Sequence, residues 1–283
     1  MINLVTSYWL AENINNENIV ILDCRFDLID KEYSQRAFEK SHIKRAQRID
    51  IETQLSNKEQ EHGGRHPIPT TTELEGIFQK IGINQDSVVI SYDEGDLAGA
   101  SRLWWILKYL GHNEVYVLNG GITEFEKIGG EVTTEIKKLK TGDFVVNINE
   151  SMKVDMEYVK ERINNENTVI VDSREYKRYI GKFEPVDKKA GHIPNAKNYF
   201  WMNILKKENN IFNLKDKEEL IRNFENLDLY EEIIIYCGSG ITACANSLAL
   251  SEIGIEHKVY CGSFSDWISY DDNEVETKEQ VNK

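Results

Sequence analysis

The chain repeats itself. The run Ile19-Val20-Ile21-Leu22-Asp23-Cys24-Arg25 returns as Val169-Ile170-Val171-Asp172-Ser173-Arg174, and Ser41-His42-Ile43-Lys44-Arg45-Ala46 returns as Gly191-His192-Ile193-Pro194-Asn195-Ala196. Residues 88–93 are echoed by 233–237, and Leu118-Asn119-Gly120-Gly121 by Tyr260-Cys261-Gly262-Ser263. These landmarks recur in the same order at a spacing of about 145 residues, which chance explains poorly. A duplication of that length constrains the fold more than any local propensity does. Both halves must share one architecture, and 283 residues leave room for two domains of roughly 140, each able to bury its own core.

Within each half, short β-branched runs bounded by Asp or Gly fit buried parallel strands. Helical patterns lie between them. Residues 101–110 end at Gly111 and 243–253 at Gly254, the expected helix stops. Strands alternating with helices predict an α/β fold, each domain a mainly parallel sheet flanked by helices. The expected boundaries are an N-terminal domain over 1–130, a polar linker over 131–153, a C-terminal domain over 154–270 and a mobile polar tail over 271–283.

The net charge of −14 argues against a general nucleic-acid or anionic-membrane binder, because phosphate backbones need a basic surface. An anionic small substrate would need a local positive site. No apolar run approaches the roughly 18 to 20 residues of a membrane span, and Met1 to Trp9 show no signal peptide. The four cysteines, Cys24, Cys237, Cys244 and Cys261, are too few and irregular for a disulfide scaffold, and no zinc-type spacing occurs. A cytoplasmic chain with reduced thiols is expected.

The most informative stretch is Ile233-Ile234-Ile235-Tyr236-Cys237-Gly238-Ser239-Gly240-Ile241-Thr242-Ala243-Cys244. A strand ends in a cysteine, a glycine-rich loop follows, and a helix begins near Thr242. Ligands of open α/β sheets bind beyond the carboxyl ends of strands, where this cysteine would stand. Gly238 and Gly240 let the loop curl round the sulfur, with N–H groups and the helix N-terminus favouring a thiolate. A buried cysteine is more often a small apolar filler, but this setting argues otherwise.

At this point the chain resembles the rhodanese/mercaptopyruvate sulfurtransferase family. The Cys237–Cys244 loop carries the likeness, with Asp172-Ser173-Arg174, Arg178-Tyr179-x-Gly181, Glu184-Pro185-x-Asp187, Gly191-His192-Ile193-Pro194 and Gly262-Ser263-Phe264-Ser265-x-Trp267 around it. Gly63-Gly64-Arg65-His66-Pro67 and Arg102-Leu103-Trp104-Trp105 add to it in the first half. The resemblance implies tandem rhodanese-like domains, with Cys237 carrying sulfane sulfur as a persulfide cradled by Gly238, Ser239, Gly240, Ile241 and Thr242. Asp93 stands at the cysteine position of the first repeat, where a carboxylate cannot accept sulfur, so that domain is expected to be non-catalytic.

Arg174 and Arg178 are the expected anion-binding residues, with Arg174 the stronger; the alternative is that both serve structural ion pairs. By resemblance, His66 relays a proton to Ser239, oriented by Glu52 where the family has Asp; alternatively His66 stabilises a turn. His42 and His192 are expected to satisfy backbone groups, Trp104 and Trp105 to lie in the core, and Cys24, Cys244 and Cys261 to be structural. Cys261 stands where the family more often has an acidic residue, which leaves it open as an accessory thiol.

The implied reaction moves sulfur from a small anionic donor to a thiol, cyanide or reduced thioredoxin-like acceptor. No metal or organic cofactor is implied, and no nucleic acid or membrane partner. Relatives preferring thiosulfate place Arg and Lys after the cysteine; Gly238 and Ser239 stand there instead, so 3-mercaptopyruvate is the expected donor and thiosulfate the alternative. A cysteine phosphatase would need arginine at position 243, which is alanine. A non-catalytic interaction module would not require the cysteine, the loop glycines and both arginines together.

Overall fold

The computed structural model describes residues 2–137 and 140–277; the expectations for Met1, for 138–139 of the linker and for 278–283 of the tail fall outside them. The described residues form two compact units. The first draws on Met1–Asn57, Ile68–Asn149 and Leu205–Leu214, the second on Lys58–Pro67, Glu150–Ile204 and Lys215–Lys283. Each unit therefore includes a short segment from the opposite repeat, which a single cut inside 131–153 does not anticipate.

In the first unit, β1 (Leu4–Val5), β2 (Ile19–Asp23), β3 (Gln47–Arg48), β4 (Val88–Tyr92) and β5 (Val115–Leu118) form one sheet in the order β1-β5-β4-β2-β3. In the second, β6 (Lys153–Val154), β7 (Thr168–Asp172), β8 (Lys197–Asn198), β9 (Glu232–Tyr236) and β10 (Lys258–Tyr260) take the order β8-β7-β9-β10-β6. Read from the other edge, the second order repeats the first strand for strand. Every pairing in the two sheets is parallel. The central registers match as well: Asp23 lies opposite Tyr92 and Asp172 opposite Tyr236. All five residues of β2 and of β7 are buried, which explains their unbroken apolar runs.

Helix α1 (Ala98–Tyr109) follows β4 and packs on β4 and β5, while α2 (Ala243–Ile253) follows β9 and packs on β9 and β10. Gly254 ends α2 at φ 79°, a left-handed stop that a side chain would strain. Trp104 and Trp105 are buried in α1, as expected. His42 and His192 each place Nδ1 against a carbonyl, Phe38 at 2.8 Å and Tyr179 at 2.7 Å, so both serve the backbone.

The polar segments depart from the sequence reading. Residues 131–149 pack into the first unit: Val132–Thr133 pairs antiparallel with His42–Ile43, and Phe144 is fully buried against Phe78. One aromatic anchor and backbone hydrogen bonds, such as Gly142 N–H to Gln79 O, hold a stretch whose composition reads as solvated. The described part of the tail is also fixed. Glu276 and His192 exchange backbone hydrogen bonds of 2.8 and 2.9 Å, and the Trp267 indole donates to Glu274 O.

Candidate active site

Two clamps of identical design frame the carboxyl ends of the central strands. In the first unit Asp23 accepts from the Tyr92 hydroxyl at 2.7 Å and from Arg25 Nη2 at 2.6 Å, and Arg25 also donates to Ser41 O. In the second, Asp172 accepts from the Tyr236 hydroxyl at 2.7 Å and from Arg174 Nη2 at 2.6 Å, and Arg174 also donates to Gly191 O. Arg174 is buried, lies with its guanidinium 3.8 Å from the Phe264 ring centre, and reaches Glu184 at 3.4 Å. Its donors are spent on the scaffold. The same clamp stands in the repeat that carries Asp93 at the position of Cys237.

Cys237 follows the last residue of β9 and is buried. The Gly240 N–H donates to its Sγ at 3.1 Å. Gly240 takes φ 82°, and a Cβ there would lie 2.2 Å from Cys261 O, so only glycine lets the loop turn its amide toward the sulfur. Ser263 completes the cradle. Its hydroxyl accepts from Cys237 N at 3.1 Å and lies 4.0 Å from Sγ. Backbone bonds from Phe264 N to Cys237 O and from Ser265 N to Gly238 O fix the loop on the helix Ser263–Trp267. Ile241 is buried, and Thr242 stands at the N-cap of α2 without capping it through its side chain.

Two arginines close over Gly238. A Cβ on that residue would stand 2.9 Å from Arg65 Nη2 and 3.5 and 3.7 Å from Arg178 Nη2 and Nη1. Arg178 donates Nε to both oxygens of Glu184 at 3.0 Å and Nη2 to Asp187 at 2.7 Å, while Arg65 Nη1 pairs with the other oxygen of Asp187. Both side chains keep about a fifth of their surface exposed, 21% for Arg65 and 18% for Arg178, against 1% for Arg174. The exposure of Arg174 and Arg178 runs opposite to their expected ranking. Arg178, with Arg65, can meet an anion beside the sulfur, whereas Arg174 cannot do so without releasing Asp172.

Arg65 arrives on the segment 58–67. That segment is seated by Gly63 N–H on Asp266 at 2.7 Å and by Arg65 N–H on Ser265 Oγ at 3.1 Å. Its next residue, His66, sets Nδ1 2.7 Å from Ser239 Oγ, and both are buried. The pairing expected from resemblance is therefore formed. Glu52 belongs to the first unit. Sequence reasoning missed Arg65, Asp187, Glu184 and Ser263 as site residues, although all sit in the motifs that carried the resemblance.

At the equivalent strand end of the first unit, Asp93 fills its own cradle. Its carboxylate accepts from Gly95 N and Ala100 N at 2.8 and 3.0 Å, and from Leu97 N at 3.2 Å. Burial, with Asp96 beside it, pushes its pKa up to about 7, against the pull of those amides. The other cysteines are buried thiols. Burial and the neighbouring Asp23 and Asp93 push the Cys24 thiol up, and Cys244 and Cys261 place Sγ against the Gly240 and Val259 carbonyls.

A buried thiol thus stands at a strand end of a duplicated parallel α/β fold, held by a loop amide with two guanidiniums over the next residue. The chain belongs to the rhodanese family: a model described as "Rhodanese-like domain" matches residues 6–128 and 155–270. It is 35% identical over 94% of its length to a Pseudomonas aeruginosa protein named "Probable 3-mercaptopyruvate sulfurtransferase", covering 95% of that protein. It is 31% identical to the rat thiosulfate sulfurtransferase, covering 93% of this chain and 91% of the rat protein. The solved 3-mercaptopyruvate sulfotransferase of Escherichia coli superposes with a TM-score of 0.81 at 29% identity, over 94% of this chain and all of that one. The chain is an enzyme of the sulfurtransferase class.

Proposed function

We propose that the chain moves sulfane sulfur from 3-mercaptopyruvate to a thiol or cyanide acceptor through a persulfide on Cys237. The observation that carries this reading is the Gly240 N–H bonded to the Cys237 sulfur beneath Arg65 and Arg178. The donor carboxylate binds those two guanidiniums, which bring its thiol sulfur to Sγ. The Cys237 thiolate attacks that sulfur, an S–S bond forms and the C–S bond breaks. The bonding pair passes to carbon as the enolate of pyruvate, and protonation of that carbon completes the first product. Ser239, paired with His66, is placed to conduct the proton. The loop amide stabilises negative charge on sulfur as it develops. An acceptor thiolate or cyanide then attacks the outer sulfur and returns Cys237 to its thiolate.

Arg174 enters this reading as the residue that holds Asp172 and the strand ends in place, not as a donor ligand. The four cysteine thiols accord with a reducing compartment, and the cytoplasm is the proposed site of action with a reduced thioredoxin-like protein among the acceptors. No helix among the described residues is long and apolar enough to cross a membrane.

Intact mass after donor treatment tests the proposal. The wild type gains one reductant-labile sulfur atom, while Cys237→Ser stays folded, gains none and loses turnover entirely. Sulfur uptake and turnover by Cys237→Ser would place the carrier on another thiol.

A further inference from the structure

The segment that carries Arg178 also carries side chains the proposed reaction does not use. Tyr176, Phe183 and Val186 are 48%, 55% and 52% exposed, large apolar groups left in water. Each stands within two residues of a group that holds or carries the guanidinium beside Gly238. Tyr176 opens the short helix that presents Arg178, Phe183 precedes Glu184, and Val186 precedes Asp187. The backbone keeps them there. Lys182 and Phe183 N–H both donate to Lys177 O, at 3.0 and 3.2 Å, and Glu184 accepts from the Val186 and Asp187 N–H groups at 3.0 Å each. Three apolar side chains are thus held on the segment that borders the Cys237 loop.

The charge of that segment departs from the charge of the chain. Lys177, Lys182, Lys188 and Lys189 are exposed, against one exposed carboxylate, Glu175, in a protein of net charge −14. Glu184 and Asp187 are turned inward onto the arginines. The atoms nearest to a side chain at Gly238 belong to Arg65 and Arg178, and no lysine of the segment is among them. A small donor or cyanide needs neither the lysines nor the apolar groups. Apolar side chains rimmed by charge are the make-up of a protein-docking surface, and a positive rim on an acidic chain favours a partner of negative surface.

We propose that residues 176–189 dock the sulfur acceptor, a small acidic protein that presents a reactive cysteine on an apolar face; the inference rests on the sulfurtransferase reading above. The acceptor's thiolate attacks the outer sulfur of the Cys237 persulfide. An S–S bond forms on the acceptor's cysteine as the bond to Cys237 Sγ breaks, and the electron pair returns to Sγ as the thiolate. The acceptor leaves as a persulfide.

Sulfur delivery from loaded Cys237 to two acceptors, cyanide and an acidic reduced thioredoxin, tests it. Phe183→Ser combined with Val186→Ser raises KM for thioredoxin about tenfold and leaves kcat/KM for cyanide unchanged. Lys188→Glu combined with Lys189→Glu does the same at low ionic strength, and its deficit shrinks as salt screens the wild type. A thioredoxin KM unmoved in both variants would overturn the proposal. Equal losses with thioredoxin and cyanide would overturn it too, because the damage would then lie in the Arg178 turn. Wild-type dimers in sedimentation that Phe183→Ser with Val186→Ser separates would assign the surface to a second copy and refute an acceptor there. Wild-type protein that passes sulfur to cyanide but not to thioredoxin would end the inference and leave the sulfurtransferase reading intact. Protein that loads no sulfur on Cys237 from 3-mercaptopyruvate or thiosulfate would refute that reading, and this inference with it.

Discussion

Replacing Arg174 and Arg178 separately by alanine distinguishes a scaffold arginine from a substrate arginine. Arg174→Ala leaves Asp172, whose side chain is fully buried, with the Tyr236 hydroxyl and one backbone N–H but no counter-ion, and strips Gly191 O of its donor. Removing one partner of a buried ion pair costs about 3 to 5 kcal/mol, a large share of the 5 to 15 kcal/mol that typically holds a domain. The cation–π contact of the guanidinium with Phe264 is lost as well. Arg178 is partly exposed, and its partner Glu184 retains two backbone donors, so Arg178→Ala costs the fold far less. Its effect falls on the donor. Loss of a charged hydrogen bond of about 1.5 to 3 kcal/mol raises KM roughly ten- to a hundredfold. Urea denaturation and steady-state kinetics measure the two effects, and Arg25→Ala supplies the control. Arg25 occupies the same clamp in a repeat without the cysteine, so its loss should lower stability about as much as loss of Arg174. An Arg174→Ala variant with an unmoved urea midpoint and a strongly raised KM would refute the scaffold assignment.

Two further outcomes follow from the strand ends. Gly240→Ala forces a side chain into φ 82° and to within 2.2 Å of Cys261 O; sulfur loading measured by timed mass spectrometry should fall about a hundredfold in a chain that still folds, and near-normal loading would deny the Gly240 amide its role. Asp93 has its pKa raised by burial from 3.8 to about 7, so its contribution to stability is fully present below pH 3.8 and is lost as pH rises through 7. Unfolding midpoints taken between pH 4 and pH 8 should therefore decline more steeply in the wild type than in Asp93→Asn, and equal slopes would show that Asp93 does not titrate there.

The repeat, the parallel strands and the cysteine loop were legible in the sequence because each rests on local chemistry. An apolar run ending in Cys237 with Gly238 and Gly240 behind it has few other uses, and Gly254 marks the end of α2 as a left-handed stop must. The engagement of Arg174 with Asp172 is not legible for an equally physical reason. An arginine two residues after an aspartate reads alike whether it binds a substrate or that aspartate. The discriminating signal was already in the sequence: Arg25 follows Asp23 in the half that lacks the cysteine. Segments 131–149 and 271–277 were read as solvated because most of their side chains are; Phe144 and a backbone pairing at Glu276 supply the attachment, and neither produces a periodic pattern. The inclusion of 58–67 in the second unit, which brings Arg65 and His66 to Gly238 and Ser239, depends on contacts far apart in the chain and leaves no local trace.

The two strand ends show what the sulfur site gives up. Both units keep the sheet order and the Asp–Arg–Tyr clamp, so neither depends on a cysteine for its fold. Where sulfur is not handled, the loop is closed internally: the Asp93 carboxylate gathers three amides. At Cys237 the sulfur takes the Gly240 amide at 3.1 Å, and glycine at 238 opens the space that Arg65 and Arg178 face. A carboxylate would satisfy that loop better, and it would also end the chemistry, because it offers no sulfur to extend. The positive charges beside that loop come from outside it, from Arg65 and Arg178. We propose that selectivity among anions resides in side chains that can change without disturbing either clamp; relatives of this chain are named for different sulfur donors.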